Sequence, residues 1–361
     1  MTKKYLPLCL IAALFVSNSL SAQTASPKKT PAKTSNPGSP ANPTQNAAQP
    51  ATTKASPAKP APAKSAAVPT IQRTASGTVD TSKIDPIKLN NQMMMVFMER
   101  MKAGNYPEAR EIANQMIFGH DSFKSTETKE YKSFHSMMEK ELYLLLEGRQ
   151  GRKPEVEWVE QPISDGFYLL SILDFQENKH EEALANMQRA VFWNPVRSAF
   201  YSERGFMLLR NSAGPNVLMA QVAYLKALEL ADNAEDFAAA LRGLSFIFLE
   251  RRMPDVALAC LLVVKQIQPQ DSEIEEELFF IRRNFPGLYE SMDLAGARKT
   301  LSDNRILAGY SPDHVQVLIR LADSFKSPKD APYAISLLHR AREMSPKNQE
   351  VARRLQVLEK K

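Results

Sequence analysis

The 361 residues carry a formal net charge of +6, and the excess of positive charge lies in the N-terminal quarter of the chain. Residues 86–361 hold 36 basic and 38 acidic side chains. This nearly even balance excludes the general basic signature of a nucleic-acid-binding domain. Cys9 and Cys260 are the only cysteines, too few for the disulfide framework of a small secreted protein.

The chain begins with a pattern typical of a secretory signal, residues 1–22. Lys3 and Lys4 precede an apolar stretch, Tyr5–Val16, which is followed by small and polar residues up to Ala22. The apolar stretch is shorter than the roughly 20 residues that span a membrane. The pattern predicts an exported protein, periplasmic or envelope-associated, with cleavage after either Ser21 or Ala22. Cleavage would remove Cys9 and leave Cys260 as the single cysteine.

Residues 23–85 form a compositionally distinct tail. They contain ten prolines and eight basic residues against two acidic ones, with few large apolar side chains. Such a segment cannot bury enough apolar surface to offset the entropy of ordering it, so we expect a disordered tail with polyproline II character. Lysines in this tail could adhere weakly to anionic lipid or cell-wall polymer.

The folded part is predicted to begin at Asp85-Pro86, a helix cap followed by proline at the first helical position. A turn at Gly104 leads to a second helix that ends near Gly119. Residues 123–148 are predicted as one long helix because large apolar residues recur every three or four positions. These residues are Tyr131, Phe134, Met138, Leu142 and Leu145. The segment 148–162, with two glycines and two prolines, breaks that helix.

The rest of the chain repeats one pattern. Ala183, Ala220 and Ala257 follow one another at intervals of 37 residues, each near the start of a predicted helix. An interval of this size is typical of a repeat array, in which each unit packs on its neighbours. Clear repeats are predicted at about 164–195, 198–232, 236–269 and 312–346, a further helix pair at 272–284 and 288–301, and a charged capping helix at 347–360. No strand alternation is found, so the predicted class is all-α.

These repeats resemble the tetratricopeptide repeat over about residues 86–119 and 162–361. The resemblance rests on a recurring early alanine, a later small residue and a closing proline. The early positions are Ala109, Ala183, Ala220, Ala257 and Ala334; the later ones are Ala190, Ala227 and Ala341; the prolines are Pro195, Pro269 and Pro346. The turn Gly104–Ala109 and the small residue Gly205 also match, whereas the 37-residue spacing departs from the usual 34. The resemblance implies a right-handed superhelical solenoid of antiparallel helix-turn-helix units.

We find no residue pattern that indicates catalysis or a cofactor. The five histidines form no zinc-binding spacing, and no phosphate-binding loop, dinucleotide fingerprint or nucleophile elbow is present. Cys260 lies in an apolar helical run and is expected to be a buried small hydrophobe. An acidic run at 271–277 is expected to be a solvated helix start, which the helix dipole favours. The sequence therefore predicts a protein that is not an enzyme and needs neither metal nor cofactor.

The resemblance implies instead a scaffold that binds a peptide or helical segment of a partner protein in the concave groove of its repeats. The phase of the repeats predicts which side chains face this groove. They are Tyr168, Ile172, Phe175, Phe206, Arg242, Phe246, Ile319 and Asp323. Aromatic and apolar side chains dominate the set, which suits the apolar stripe of a partner. The alternative is a structural envelope component that adheres through its basic tail.

Overall fold

The computed structural model describes residues 86–211 and 213–359, and the predicted signal and tail lie outside these ranges. The described part is mostly helical, with fifteen α-helices and one small sheet. The helices are α1 Pro86–Lys102, α2 Tyr106–Met116, α3 Met137–Arg149, α4 Ile163–Gln176, α5 His180–Trp193, α6 Ser198–Leu209, α7 Val217–Leu230, α8 Ala234–Glu250, α9 Pro254–Ile267, α10 Ser272–Asn284, α11 Pro286–Ser291, α12 Leu294–Asp303, α13 Pro312–Ser324, α14 Ala331–Met344 and α15 Gln349–Glu359.

Side-chain caps fix where several helices begin. Asn216 caps α7, Asn233 caps α8, Asp271 caps α10 and Ser311 caps α13, each accepting a hydrogen bond from a backbone N–H of the first turn. These N–H groups have no partner inside the helix, so the capping oxygen accepts a hydrogen bond from a donor that would otherwise lack one. In this half of the chain the observed helix starts lie within two residues of the predicted ones.

Four helix pairs coincide with the predicted repeats: α4 with α5, α6 with α7, α8 with α9, and α13 with α14. In each pair an early alanine of the second helix is buried. Ala183, Ala220, Ala257 and Ala334 are all at most 1% exposed. Helix axes 8–10 Å apart leave room only for small side chains at the contact, which is why alanine recurs at this position.

The long helix predicted for residues 123–148 is wrong. Residues Lys129–Lys132 form a strand, β1, that pairs in parallel with β2, Glu155–Trp158. Helix α3 begins only after Ser136, whose side chain accepts a hydrogen bond from the Glu139 N–H. Tyr131 and Phe134 therefore precede the helix, although their spacing to Met138 fits a helical face.

The second helix of the pair predicted at 272–301 is interrupted. Pro286–Ser291 forms α11, and α12 begins after Asp293. The Asp293 carboxylate accepts a hydrogen bond from the Gly296 N–H at 2.7 Å, which caps a new helix. An aspartate in a capping conformation competes with continuation of the preceding helix. The prediction missed the interruption between α11 and α12 because the apolar residues continue across it at helical spacing.

Three hydrophobic clusters make up the core of the described part. One lies among α1, α2, α4 and α5, and a second among α7, α8, α9, α10 and α12. The third joins α3 to α13, α14 and α15, with Val196 and Leu230 from the central helices. Helix α3, which precedes the first clear repeat, thus packs against the C-terminal helices as well as against its sequence neighbours.

Candidate partner-binding surface

A row of helices contains six of the eight side chains predicted to face the groove. Helices α1, α4, α6, α8 and α10 contact one another in that order. Asn90 of α1 donates to Asp165 of α4 at 2.7 Å, and the Tyr168 ring of α4 stacks on Phe200 of α6 at 5.1 Å. Helix α6 packs against α8, and Arg242 of α8 donates two hydrogen bonds to Glu277 of α10.

The N-terminal members of the predicted groove are buried. Tyr168, Ile172 and Phe175 are 3%, 1% and 9% exposed and belong to the first core cluster. Phe175 packs against the rings of His180 and Phe206, at 4.9 and 5.6 Å between ring centroids. The phase of the repeat placed these residues on α4, but surrounding segments cover that helix, so the three side chains pack as core in this structure.

Ile319 and Asp323 lie on α13, which packs against α3 and α14. Ile319 is half-buried at the edge of the third cluster. The Asp323 carboxylate forms an ion pair with Arg354 of α15. These two residues therefore take part in packing the C-terminal helices.

Phe206, Arg242 and Phe246 remain accessible to different degrees. Phe206 is half-buried, with the Arg210 guanidinium 6.0 Å from its ring centroid. The Arg242 side chain is 19% exposed and held by acidic residues. Phe246, one turn further along α8, is 46% exposed. The predicted groove residues thus divide into a buried group on α4 and an open group centred on α8.

The acidic run at 271–277 proves to be built around Arg242. Its guanidinium lies 2.7 Å from Glu273 and 2.7 Å from Glu277, with Asp271 at 4.0 Å. Burial raises the pKa of the Glu277 carboxyl, and the hydrogen bonds from Arg242 offset part of that rise. Three carboxylates face one guanidinium, so this part of the surface keeps an excess of negative charge.

Phe280 belongs to the same surface, and sequence reasoning missed it. It lies three residues after Glu277 on α10 and is 49% exposed. Helices α8 and α10 run in the same direction because each is antiparallel to α9. The bond from Arg242 to Glu277 therefore brings Phe246 and Phe280, each about one turn further on, to the same level. A signal existed in the sequence: Ile274, Leu278 and Ile281 recur at helical spacing and form the core face of α10, which leaves both Phe279 and Phe280 outside it, at 54% and 49% exposure.

We call Phe246 and Phe280 the aromatic pair. Both are large aromatic side chains left half-exposed on neighbouring helices, which makes them candidates for a contact site. Aromatic side chains supply most of the affinity at protein interfaces because they bury a large area at small entropic cost. Chemically, the pair offers an apolar contact bordered by carboxylates. It offers no nucleophile and no proton donor poised for catalysis.

A buried polar cluster lies at the turns that join the central helices, and sequence reasoning missed it too. Glu139 of α3 accepts hydrogen bonds from the backbone N–H of His135 at 2.6 Å, from the Asn194 side chain at 2.8 Å and from Arg197 at 3.1 Å. Burial alone would lower the pKa of Arg197, but Glu139, Asp165 and Asp236 raise it. The cluster holds the segment containing α3 to the turn between α5 and α6.

The same cluster borders a cavity of about 20 Å³, lined in part by Ser198, Asp232 and His314. His314 is 1% exposed, and burial lowers its pKa. Burial raises the pKa of nearby Asp236 to about 6, although Arg197 counteracts it. A polar space of this size accommodates about one water molecule, so its place here is structural, between α3, α7 and α13.

The remaining candidates for chemistry are dispersed. Within residues 86–211 and 213–359, no three His, Cys, Asp or Glu side chains are grouped closely enough to hold a metal ion. Cys260 is fully buried, and burial raises the pKa of its thiol. His180 packs edge-on against Phe175, and His120 contacts the Ile117 carbonyl at 2.9 Å. Each of these side chains has a packing or capping role in the structure.

None of the described helices is both long and apolar enough to cross a membrane. Comparison with known proteins finds neither a protein-family model nor a curated protein that matches the chain.

Proposed function

We propose that the chain is a non-catalytic scaffold that binds a partner protein through the aromatic pair and the neighbouring surface of α6, α8 and α10. In this proposal its helix pairs are tetratricopeptide-like repeats arranged as a right-handed superhelical solenoid, and the protein acts after export, in the periplasm or elsewhere in the envelope. The observation that carries the proposal is the exposure of Phe246 and Phe280, at 46% and 49%, on two helices held together by Arg242 and Glu277.

The buried alanines support the repeat assignment, since they occupy the position at which paired helices approach most closely. The surface favours a peptide or an amphipathic helix over a small molecule. The two half-exposed rings offer an open surface, whereas small-molecule sites are enclosed pockets. A partner segment would bury the two rings and keep its polar groups at the rim.

The test is capture of partners from the envelope fraction of the source cells by the intact chain. Phe246→Ala with Phe280→Ala should weaken retention of the specific partner at least tenfold, because aromatic anchors dominate such interfaces. The matched control is Leu218→Ala with Val222→Ala, which removes two side chains on α7 that are 71% and 52% exposed. Equal retention by both double variants would exclude the aromatic pair as the contact.

The second candidate, adhesion of the basic tail to anionic envelope surfaces, is separated by the same experiment. Binding by the tail should survive loss of the aromatic pair and fall steeply between 0.15 and 1 M salt. Binding through aromatic anchors depends much less on salt, since its main term is burial of apolar area.

A further inference from the structure

We propose that the outer edge of strand β2 binds an extended segment of a partner protein in which basic and apolar residues alternate. The segment adds a third strand to the two-stranded sheet. This contact is separate from the aromatic pair, so it goes beyond the proposed function and does not depend on it.

Alternate residues of β2 turn their main-chain groups away from β1. The N–H groups of Glu155 and Val159 donate to carbonyls of the segment 128–132, at 2.8 and 2.7 Å. In a strand pair the residues between such positions direct their N–H and C=O groups to the opposite side. Val156 and Trp158 occupy these positions. Within the part of the chain that the structure describes, their main-chain groups have no hydrogen-bond partner.

The outer edge of β1, in contrast, is occupied by the loop that precedes it. The Lys129 carbonyl accepts a hydrogen bond from the Thr126 N–H at 2.8 Å, and the Lys129 N–H donates to the Thr126 hydroxyl at 3.1 Å. The Tyr131 N–H donates to the Ser125 hydroxyl at 3.1 Å. The sheet can therefore be extended along β2 and not along β1. An open strand edge is a template for pairing with another chain.

The side chains of β2 determine which kind of strand fits. Glu155 and Glu157 are exposed on one face, whereas Val156 and Trp158 are half-buried on the other face, against the third core cluster. Side chains opposite each other on one face of a sheet interact, and both opposite charges and apolar pairs are favourable. A complementary strand therefore alternates lysine or arginine with valine, isoleucine or an aromatic residue.

The edge also carries an excess of negative charge. Residues 153–160 contain three glutamates and one lysine. Lys129 forms an ion pair with Glu157 at 2.6 Å, but among the described residues no cation is paired with Glu155. A lysine of an added strand would lie beside this carboxylate.

The same charge disfavours a second copy of the chain as the occupant. Antiparallel addition that pairs Val156 with Trp158 of another copy would place Glu157 opposite Glu157 of that copy. Like charges directly opposite each other destabilise a strand pair. The charge of β2 thus opposes self-association and favours a basic partner.

The test is binding of an acetylated and amidated octapeptide of alternating valine and lysine to the intact chain. Fluorescence anisotropy of the labelled peptide measures its affinity, and hydrogen exchange with mass spectrometry shows which amides become protected. Strand addition predicts saturable binding with a Kd below about 1 mM, and slower exchange in the fragment that contains Val156 and Trp158. An octapeptide of alternating valine and glutamate should bind about tenfold more weakly or worse.

Variants of β2 separate binding at the strand edge from binding elsewhere. Val156→Pro removes an outward N–H and leaves the hydrogen bonds to β1 in place, and proline is tolerated at strand edges. It should weaken binding about tenfold or more. The matched control is Val156→Ala, which shortens the same side chain but keeps the N–H, and it should change the affinity less than about threefold.

A charge variant decides the outcome if Val156→Pro fails to fold, which circular dichroism shows. Glu155→Lys leaves the main chain unaltered and should weaken binding of the valine–lysine peptide about threefold or more. Its control is Glu181→Lys on α5, which is also exposed and should leave binding unchanged.

Several results would overturn the proposal. They are equal binding by folded Val156→Pro and Val156→Ala, equal binding by Glu155→Lys and Glu181→Lys, and no binding at about 1 mM peptide. Protection of the Val156 amide without peptide would also overturn it. If that protection increases with protein concentration, a second copy occupies the edge; if it does not, another segment of the same chain does.

The edge and the aromatic pair can be tested separately. Phe246→Ala with Phe280→Ala should leave peptide binding to β2 unchanged, whereas Val156→Pro should leave capture of the partner by the aromatic pair unchanged. Loss of one kind of binding alone therefore shows which of the two proposals fails.

Discussion

Gly243 of α8 lies directly against the ring of Tyr224 on α7. A Cβ atom on Gly243 would be 2.2 Å from Cε1 of that ring, and a Cβ on Gly205 of α6 would be 2.7 Å from Cε2. The ring thus lies between two helices that approach it without side chains. A phenol ring packed in this way requires glycine on both sides, because a Cβ atom does not come within 3 Å of an atom to which it is not bonded.

We therefore expect Gly243→Ala to destabilise the protein by about 1–3 kcal/mol, the usual cost of forcing an additional methyl group into a packed core. Denaturant unfolding measures the change. The control is Gly148→Ala in α3, where a Cβ atom would meet nothing within 4 Å. Alanine is the better helix former by about 0.8–1 kcal/mol, so the control should be neutral or stabilising. A neutral Gly243→Ala would mean that the Tyr224 ring is not held in this position.

A second prediction concerns pH and Glu203 of α6, which is 5% exposed and has no hydrogen-bond partner for Oε2 among the described residues. Burial raises the pKa of this carboxyl from 4.5 to about 7. The folded chain holds the proton more tightly than the unfolded chain does. Protonation of Glu203 therefore stabilises the folded chain fully below about pH 4.5, and this contribution is lost as the pH rises through about 7.

Glu203→Gln should accordingly change the pH profile of stability rather than its maximum alone. Between the two pKa values the free energy of unfolding of the wild type changes by about 1.4 kcal/mol per pH unit. The stability of the variant relative to the wild type should therefore increase as the pH rises from 5 to 8. Urea unfolding at several pH values measures the difference. Glu250→Gln, which alters an exposed carboxylate of α8, is the control. A constant difference between Glu203→Gln and wild type would contradict the argument.

The third prediction separates core from surface among the aromatic residues. Tyr168→Ala and Phe175→Ala should each destabilise the protein by about 3–5 kcal/mol, because truncation of a buried aromatic side chain leaves a cavity. Phe246→Ala, at a side chain 46% exposed, should cost less than about 1 kcal/mol. Thermal and denaturant unfolding of the three variants test this. If Tyr168→Ala and Phe175→Ala keep wild-type stability, the two residues are not core and belong to the binding surface instead.

The fourth prediction concerns Arg149 of α3 and Asp313 of α13. The Arg149 guanidinium donates two hydrogen bonds to the Asp313 carboxylate, one of them at 2.6 Å, across 164 residues of sequence. The arginine is half-exposed, which limits the contribution of the pair. We expect Arg149→Ala to cost about 1 kcal/mol. Arg283→Ala on α10 is a surface control, and an equal effect of both changes would show that the ion pair contributes nothing specific.

The positions of most helices could be predicted from the sequence because their signals are local. Caps such as Asn233 and Ser311 lie within three residues of the N–H groups that they satisfy, and the periodic alanines mark each close contact. Strand β1 could not be predicted in this way. Its partner strand lies 26 residues further along the chain, and the local spacing of Tyr131, Phe134 and Met138 equally fits a helix.

The groove residues show the same division. The phase of a repeat predicts which face of a helix a residue occupies, and it placed Arg242 and Phe246 together on α8. It does not predict whether a separate segment covers that face, and Tyr168 and Ile172 are buried for that reason. The burial of Glu139 and His314 could not be predicted either, because their neighbours come from distant parts of the chain.

The third core cluster has a consequence for how the chain acquires its structure. It joins Phe134 and Leu142 to Val315, Leu338 and Leu355. A linear array can unfold from one end, since each unit contacts only its neighbours. Here the early segment around α3 completes the burial of its apolar side chains only when the last helices have been synthesised. We therefore expect a single cooperative transition for this region, slow folding because many of its contacts are distant in sequence, and greater exposure of Phe134 and Leu142 in any chain that stops before α13.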